Sequence, residues 1–331
     1  MTSAAPVPIW LDCDPGKCQD DLHAIILARF HPKLKLLGIS AVHGNTSLPN
    51  TFKNASRILK ACGSTDVKVY AGAEKPILRT PENAAYIHGE TGLGGSDLIP
   101  DADESIMDFN VGGVQAMADA IINSSEPVVL AAVGPLTNIA LLLLTYPQAK
   151  KNIKEILIMG GGFGLGNVTP VAEFNIYADP EACQVVLNSG VERIVMVPLN
   201  CTHQSSYTRE HQEKFTELIT PINPNFARMI NELTDYVRQK YVSWGLDPNS
   251  ISWHDPIAVS HCIVPEAFED VEMNVTTVFG HGVQGEGQTI GDPIMRHGKK
   301  PNCVVVMKMK DEAFFKEMFT AWEIAAKSSI L

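Results

Sequence analysis

Short apolar runs alternate along the chain with stretches whose apolar residues recur every three or four positions. The runs predict buried strands and the stretches predict amphipathic helices. The predicted strands are residues 7–11, 34–42, 67–70, 127–133, 153–159, 194–199, 274–280 and 303–309, and the predicted helices are residues 20–30, 50–61, 111–122, 136–144, 180–188 and 311–326. This order predicts an α/β fold, with a mostly parallel open sheet and helices on both faces.

One stretch interrupts the alternation. Residues from about 203 to 250 are predicted to be mostly helical and to form a cap over the rest of the chain. The chain contains no internal repeat, no low-complexity tract and no linker rich in Gly, Pro or Ser. We therefore expect one large domain over residues 1–331.

Composition narrows the choice of partners. The chain has 331 residues, of which 45% are hydrophobic and 19% are charged, as in globular proteins. Its formal net charge of −11 disfavours nucleic acid or an anionic membrane as the partner, because both favour basic surfaces. No apolar run has membrane-spanning length, and no secretory signal is evident. The seven scattered cysteines predict reduced thiols and a cytoplasmic location.

Polar residues and glycines follow several of the predicted strands. Ligands of open α/β sheets bind beyond the carboxyl ends of the strands, so residues that follow different strands converge there. The sequence therefore predicts one shared site at that edge. The segments are Asp12-Cys13-Asp14-Pro15-Gly16, His43-Gly44-Asn45, Gly134-Pro135 and Gly160-Gly161-Gly162.

The first of these segments begins an acidic group. Asp12, Asp14, Asp20 and Asp21 place four carboxylates within ten residues. Such carboxylates repel one another, and a hard divalent cation such as Ca²⁺ or Mg²⁺ resolves the conflict. The simpler interpretation is that Asp20 or Asp21 caps the following helix, as we expect one of them to do. Capping does not explain Asp12 and Asp14.

The segment His254-Asp255-Pro256 precedes an apolar helical stretch. A histidine beside an aspartate at a helix start can form a pair of cation ligand and proton donor. An N-cap Asp255 followed by Pro256 at the first helical position explains the same residues equally well. This motif alone does not decide between the two.

A glycine-rich turn covers residues 160–166. Its spacing matches neither the dinucleotide nor the triphosphate loop. Asn167, Glu173 and Asn175 follow it and can instead bind the hydroxyls of a sugar. The alternative is a flexible surface loop, which the Glu173-Phe174-Asn175 segment in an apolar stretch disfavours.

Together with Ile87-His88-Gly89-Glu90-Thr91-Gly92 and the continuation of Gly134-Pro135 into Leu136-Thr137-Asn138, these motifs resemble the inosine-uridine-preferring nucleoside hydrolase family. They occur in the family's order, from about residue 8 to residue 326, and look most like the fungal uridine nucleosidases. The resemblance implies a Rossmann-like nucleoside hydrolase fold and a homodimer or homotetramer. It also implies Ca²⁺-dependent hydrolysis of the N-glycosidic bond of uridine, inosine and related ribonucleosides, in nucleoside salvage.

The resemblance implies roles for single residues. Asp14, Asp21 and Asp255 would hold Ca²⁺ through carboxylates and Val133 through its backbone carbonyl. Asp14 would be the general base and His254 the proton donor to the leaving base, a role that suits the unperturbed histidine pKa of about 6.5. The residues implied to contact the substrate are Asp20, Asn45, His88, Asn167, Glu173, Phe174, Asn175 and Asp255.

The chain departs from the family pattern in one loop. Lys17-Cys18-Gln19 stands where the family has a single residue before the Asp pair. We expect an outward bulge that spares the cation site, and the alternative is a non-catalytic nucleoside- or ribose-binding relative. A second alternative is an Asp-x-Asp phosphatase with Asp12 as nucleophile. Purine or pyrimidine preference stays open, because His88, Tyr236, Tyr241 and His254 can face either kind of base. Whether His23 packs or faces the loop also stays open.

Overall fold

Buried apolar strands form the centre of the protein. Its computed structural model describes residues 5–16, 19–81 and 95–331. The strands are β1 (Val7–Cys13), β2 (Leu34–Ala41), β3 (Val69–Ala71), β4 (Met107–Asp108), β5 (Val128–Ala132), β6 (Ile153–Met159), β7 (Ile194–Val197), β8 (Tyr207–Thr208), β9 (Ser250–Ile251), β10 (Phe268–Thr277), β11 (Thr289–Asp292) and β12 (Cys303–Met309).

Helices connect most of these strands. They are α1 (Asp20–Phe30), α2 (Leu48–Ala61), α3 (Gly113–Asn123), α4 (Thr137–Thr145), α5 (Phe174–Ala178), α6 (Pro180–Leu187), α7 (Leu199–Thr202), α8 (Arg209–Ile219), α9 (Pro224–Ser243), α10 (Asp255–Ser260) and α11 (Asp311–Ser328). Two 3₁₀ helices lie at Pro147–Asn152 and Pro265–Ala267.

Within the described ranges, ten strands form one sheet in the order β11-β10-β12-β7-β6-β5-β1-β2-β3-β4. All neighbouring pairs are parallel except β10 with β11 and with β12. Two buried apolar clusters cover the two faces of the sheet. The predicted α/β fold with a mostly parallel sheet and helices on both faces is therefore confirmed.

The direction of strand succession reverses between β1 and β5. From β1 the chain adds β2 and β3 on one side, whereas β5, β6 and β7 follow one another on the other side. A ligand crevice forms at such a switch point, beyond the carboxyl ends of the strands. The residues that follow β1, β2, β5 and β6 therefore face one another.

The predicted strand at residues 274–280 is wrong in its bounds, because β10 spans Phe268–Thr277. Residues 269–272 are exposed, and three of them are acidic, so the hydrophobic pattern conceals the first half of the strand. Backbone pairing with β12 forms it nevertheless.

The 203–250 stretch contains α8 and α9, together with β8 and β9, which pair as a separate antiparallel ribbon. No helix in the described part of the chain is long and apolar enough to cross a membrane.

Candidate active site

Asp14 follows β1 and is surrounded by backbone from neighbouring strand ends. Its Oδ2 accepts a hydrogen bond from the backbone N–H of Asn45 at 2.7 Å. A side chain at Gly44 would clash with the same carboxylate, and a Cβ at Gly134 would lie 2.7 Å from Asp14 Oδ1. Glycine is therefore required at both positions because two loops close directly onto this carboxylate.

Asp12 lies within β1 and has a different environment. Its carboxylate is fully buried and accepts hydrogen bonds from the Ser40 hydroxyl and from Asn138 Nδ2, the latter at 2.7 Å. Burial raises the pKa of Asp12 to about 7. Asp12 does not line the cavity described below. A role as phosphatase nucleophile does not fit this position, because a substrate has no access to the carboxylate.

Asp20 and Asp21 are the first two residues of α1, and the N-cap residue is Gln19, which makes no side-chain cap bond. Neither aspartate is therefore the N-cap residue, although the Asp20 carboxylate accepts hydrogen bonds from the backbone N–H groups of Asp20 and Asp21 in the first turn. Asp21 accepts hydrogen bonds from the backbone N–H of Asp14 at 3.2 Å and from Asn45 Nδ2 at 3.1 Å. Asp20 accepts from the backbone N–H of His254. Asp21 is thereby directed toward the strand ends, and Asp20 bridges the start of α1 and the start of α10.

Three carboxylates converge where α1 meets α10. Asp20, Asp21 and Asp255 each offer one oxygen, and these oxygens lie within 4.8 Å of one another. Asp20, predicted as a substrate contact, thus joins two predicted cation ligands, while Asp14 stands beside Asp21. We call these four residues the carboxylate cluster.

The electrostatics of the carboxylate cluster favour a cation. Burial, followed by repulsion from neighbouring carboxylates, raises the pKa of Asp14, Asp21 and Asp255 well above the ordinary value. Burial also raises the pKa of Asp20 to about 6. Among the described residues, no Lys, Arg or His forms an ion pair with any of the four. An oxygen-only cluster without a basic partner fits a hard divalent cation.

The backbone carbonyl of Val133 follows β5 and is held by a side chain. Asn175 Nδ2 donates to Val133 O at 2.9 Å and to Met159 O at 3.1 Å. One amide thereby fastens the ends of β5 and β6 together. A carbonyl oxygen has two lone pairs, so this bond leaves Val133 O able to bind a cation as well.

Glu173 and Asn167 order the segment that follows β6. Glu173 is the N-cap of α5 and accepts from the backbone N–H groups of Asn175 and Ile176 at 2.9 and 3.2 Å, and from Gly161 N at 2.9 Å. Burial raises the pKa of Glu173 to about 7. Asn167 Oδ1 accepts from the backbone N–H of Phe174 at 2.9 Å. Glu173 and Asn175 are buried, which contradicts the flexible-surface-loop alternative.

His254 is the N-cap residue of α10, and Asp255 is the first helical residue, so the interpretation of Asp255 as the N-cap was wrong by one position. His254 Nδ1 lies 2.7 Å from Thr202 Oγ1, and its ring centroid is 5.5 Å from that of His203. Burial, followed by the charge of His203, lowers the pKa of His254 to about 3. The imidazole is thus neutral at pH 7, contrary to the unperturbed pKa used above.

A cavity of about 530 Å³ opens beside the carboxylate cluster. Its lining divides into a polar group, which includes Asp20, Asn45 and Asp255, and an apolar, aromatic group; we call these groups the polar end and the apolar end. Of the predicted substrate contacts, His88 lies outside the described residues, and the other seven all line the cavity. Asp14 and Asp21 are not among the lining residues. The apolar end consists of Val237, Tyr241, Trp244, Leu246, Ile251 and Trp253.

Several cavity residues were not singled out as site residues from the sequence. Val237 and Trp244 share a helical spacing along α9 and its end with Tyr241, which was a candidate for facing the base. Such spacing predicts one side of a helix without indicating what that side contacts. His203 and Gln19 also line the cavity. His23, left open above, packs: its ring centroid lies 4.1 Å from that of Trp253, and its Nδ1 accepts from Trp322 Nε1 at 3.3 Å.

Comparison with known proteins decides the family. The profile of the inosine-uridine preferring nucleoside hydrolases matches residues 9–316. The chain belongs to this family. The resemblance read from the sequence motifs is therefore confirmed, as is the prediction that the chain is a ribonucleoside hydrolase.

Named relatives agree with this nucleoside hydrolase assignment. The chain is 37% identical over 308 residues to a pyrimidine-specific ribonucleoside hydrolase of Salmonella newport, with 93% of this chain and 96% of the relative covered. The relative of the same name from Escherichia coli O81 matches at the same identity and coverage.

Solved structures show the same fold. The purine-preferring ribonucleoside hydrolase of Gardnerella vaginalis superposes with a TM-score of 0.86 at 28% identity, over 97% of this chain and 99% of the other. An inosine-guanosine nucleoside hydrolase superposes with a TM-score of 0.83 at 24% identity, over 96% and 98% of the two chains. The nucleoside hydrolase architecture thus extends over nearly the whole chain.

Proposed function

We propose that this nucleoside hydrolase cleaves the N-glycosidic bond of uridine, inosine and related ribonucleosides with the help of bound Ca²⁺, giving ribose and the free base for nucleoside salvage in the cytoplasm. The observation that carries the proposal is the two-ended cavity. Its polar end adjoins the carboxylate cluster, and its apolar end offers aromatic surface to a base. A ribonucleoside has the same division into a hydroxyl-rich sugar and a planar base.

The cation would be held by the carboxylates of Asp14, Asp21 and Asp255 and by the carbonyl of Val133, with Asp20 close to the first three. When bound, it supplies positive charge that keeps these carboxylates ionised and makes a nearby water more acidic. Oxygen-only donors favour Ca²⁺ over softer metals.

The ribose would lie against Asp20 and Asn45 at the cavity wall, with its 5′-hydroxyl side toward Asn167, Glu173, Phe174 and Asn175. Hydrolysis breaks the bond between C1′ and the base nitrogen. Water supplies the hydroxyl that ends on C1′, and Asp14 is proposed as the general base that takes the one proton this water loses. The leaving base gains one proton in the same reaction, so that one water is consumed for each bond broken. Positive charge develops on the sugar in this transition state, and neighbouring carboxylates stabilise it.

His254 is proposed to assist the leaving base at the junction of the two ends. Because the imidazole is neutral, only one of its two ring nitrogens carries a proton and can donate a hydrogen bond. Where Nδ1 accepts from the Thr202 hydroxyl, Nε2 carries the ring proton and donates a hydrogen bond into the cavity. His88 is kept as a base contact from the family resemblance.

The helical 203–250 segment is proposed as a cap over the base, because Val237 and Tyr241 of α9 line the apolar end. A homodimer or homotetramer is proposed from the family resemblance. Pyrimidine or purine preference is not assigned, since the relatives named above include both kinds.

The Lys17-Cys18-Gln19 expansion bears on the competing view of an inactive relative. Lys17 and Cys18 lie outside the described residues. Gln19 is buried and lines the cavity, so this residue does not bulge outward. Asp20 and Asp21 nevertheless begin α1 and stay in contact distance of Asp255. This arrangement favours a competent cluster.

One experiment tests the function. A panel of ribonucleosides is incubated with the protein, and ribose release is measured with chelator, with added Ca²⁺ and with added Mg²⁺. We expect release of ribose and base that chelation stops and Ca²⁺ restores. Turnover that survives complete chelation contradicts the cation mechanism, and nucleoside binding without turnover identifies a non-catalytic relative.

A further inference from the structure

Gln19 occupies the loop expansion, and its side chain reaches the cavity. It is 6% exposed and lines the wall between Asp20 on one side and residues of α9 on the other. Thr234 Oγ1 lies 3.2 Å from Gln19 Oε1 and anchors one end of the amide. Among the described residues, Gln19 Nε2 has no hydrogen-bond partner despite its burial.

The chemistry of the anchor shows what the amide offers. Thr234 Oγ1 also lies 2.8 Å from the carbonyl oxygen of Ile230, and a hydroxyl has one proton to donate. The amide can therefore present either its oxygen or its nitrogen to Thr234. In the orientation of the structure Thr234 lies against Gln19 Oε1, so both N–H groups of Nε2 are left without a partner among the described residues.

A buried donor without a partner destabilises the free protein, so a ligand that supplies an acceptor gains by binding there. The position of Gln19 identifies the part of the ligand. It stands directly before Asp20, on the polar side. Its anchor Thr234 lies one turn before Val237, on the apolar side. Gln19 thus lies in the cavity wall between the acidic start of α1 and the apolar residues of α9.

We propose that the Gln19 amide donates a hydrogen bond to the acceptor atom next to the glycosidic nitrogen of the base, the O2 of a pyrimidine or the N3 of a purine. This inference rests on the proposed function. Negative charge develops on that part of the base as the glycosidic bond breaks, so the bond strengthens in the transition state. This residue of the expanded loop would then be a leaving-group contact.

The test compares two substrates that differ in the leaving group. Uridine has O2 beside its glycosidic nitrogen, whereas 4-nitrophenyl β-D-ribofuranoside has only ring C–H groups there and a leaving group that needs no assistance. For Gln19→Leu, we expect kcat/KM for uridine to fall by roughly 10- to 100-fold, mostly in kcat. For the nitrophenyl riboside we expect a change within about threefold.

A second variant and a control keep the result interpretable. Thr234→Val removes the anchor and should lower uridine turnover selectively, by less than Gln19→Leu. Thr216→Val is the matched control, because Thr216 also bonds to a helix carbonyl, that of Gln212 at 2.8 Å, but lies off the cavity. Thermal unfolding of each variant checks that folding is retained.

Equal losses on both substrates would overturn the inference and assign Gln19 to the sugar or the cation site. Unchanged activity of Gln19→Leu on both would overturn it as well. A wild-type protein that hydrolyses neither substrate overturns the proposed function together with the inference. Activity on both substrates with equal losses in Gln19→Leu leaves the proposed function standing.

Discussion

The side-chain amide of Asn175 donates to the backbone carbonyl of Val133 at 2.9 Å, across 42 residues of sequence. The bond fixes the orientation of a carbonyl that we propose as a cation ligand. Groups that orient metal ligands contribute to affinity without touching the metal. Asn175 therefore links the segment after β6 to the carboxylate cluster.

Asn175→Ala should weaken Ca²⁺ binding by roughly 10- to 100-fold, because Val133 O loses the donor that orients it. Calorimetric titration of Ca²⁺ into chelator-treated protein measures the effect. Asn188→Ala is the matched control, since Asn188 Nδ2 also bonds to a backbone carbonyl, that of Gln184 at 2.8 Å, at an exposed site. Unchanged Ca²⁺ affinity in Asn175→Ala would assign the bond to folding alone.

Asp255→Asn should separate stability from cation binding. Without a cation, this variant should unfold at a higher temperature than the wild type, because one member of a repelling buried cluster is neutral. Added Ca²⁺ should raise the unfolding temperature of the wild type by mass action and that of Asp255→Asn far less. Asp119→Asn, at an exposed position, should behave as the wild type. Equal Ca²⁺ shifts in all three proteins would exclude Asp255 as a ligand.

Thr202→Val should lower kcat by roughly tenfold, because it removes the hydroxyl 2.7 Å from His254 Nδ1 and frees the ring to rotate or change tautomer. The Ca²⁺-induced rise in unfolding temperature should not change. Thr202→Ser keeps the hydroxyl and should retain activity within about threefold. If Thr202→Ser is as impaired as Thr202→Val, packing by the methyl group and not the hydrogen bond is what matters.

His43 gives a pH dependence of stability. Its Nε2 lies 3.0 Å from Thr137 Oγ1, whose proton goes to Asp179 Oδ2 at 2.7 Å, so Nε2 is the donor and Nδ1 is bare. Burial lowers the pKa of His43 to about 4. Between about pH 6.5 and pH 4 the unfolded chain binds a proton that the folded chain does not. Its stabilising contribution is therefore present above pH 6.5 and lost as the pH falls.

Urea unfolding of wild type and His43→Gln between pH 7.5 and pH 5 measures the contribution of His43 to the pH dependence of the free energy of unfolding. The wild type should lose more stability across the range, by up to about 2 kcal/mol, while all other titrating groups cancel in the comparison. His281→Gln is the control, because the ring of His281 is 84% exposed. Parallel curves for wild type and His43→Gln would show that folding does not change the pKa of His43.

Much of the fold follows from local pattern. The strands β6 and β12 and the helix α1 have the predicted bounds, because their apolar residues are contiguous or helically spaced. The first half of β10 was missed, because its exposed acidic residues are held in the sheet by pairing with β12. Local sequence does not encode such pairing.

The sequence by itself determined the family, the parallel sheet and most of the residues at the strand ends, since short motifs carry the ligand types and parallel strands end at one edge. Only the tertiary structure decided which of those residues lie together and which environment each one has. It joined Asp20 to Asp21 and Asp255, set Asp12 apart in the core, kept His254 neutral and turned the inserted Gln19 into the cavity. The physical reason is that burial, charge repulsion and hydrogen-bond satisfaction depend on neighbours from distant segments. Those neighbours are fixed only when α1, α9 and α10 pack around the strand ends.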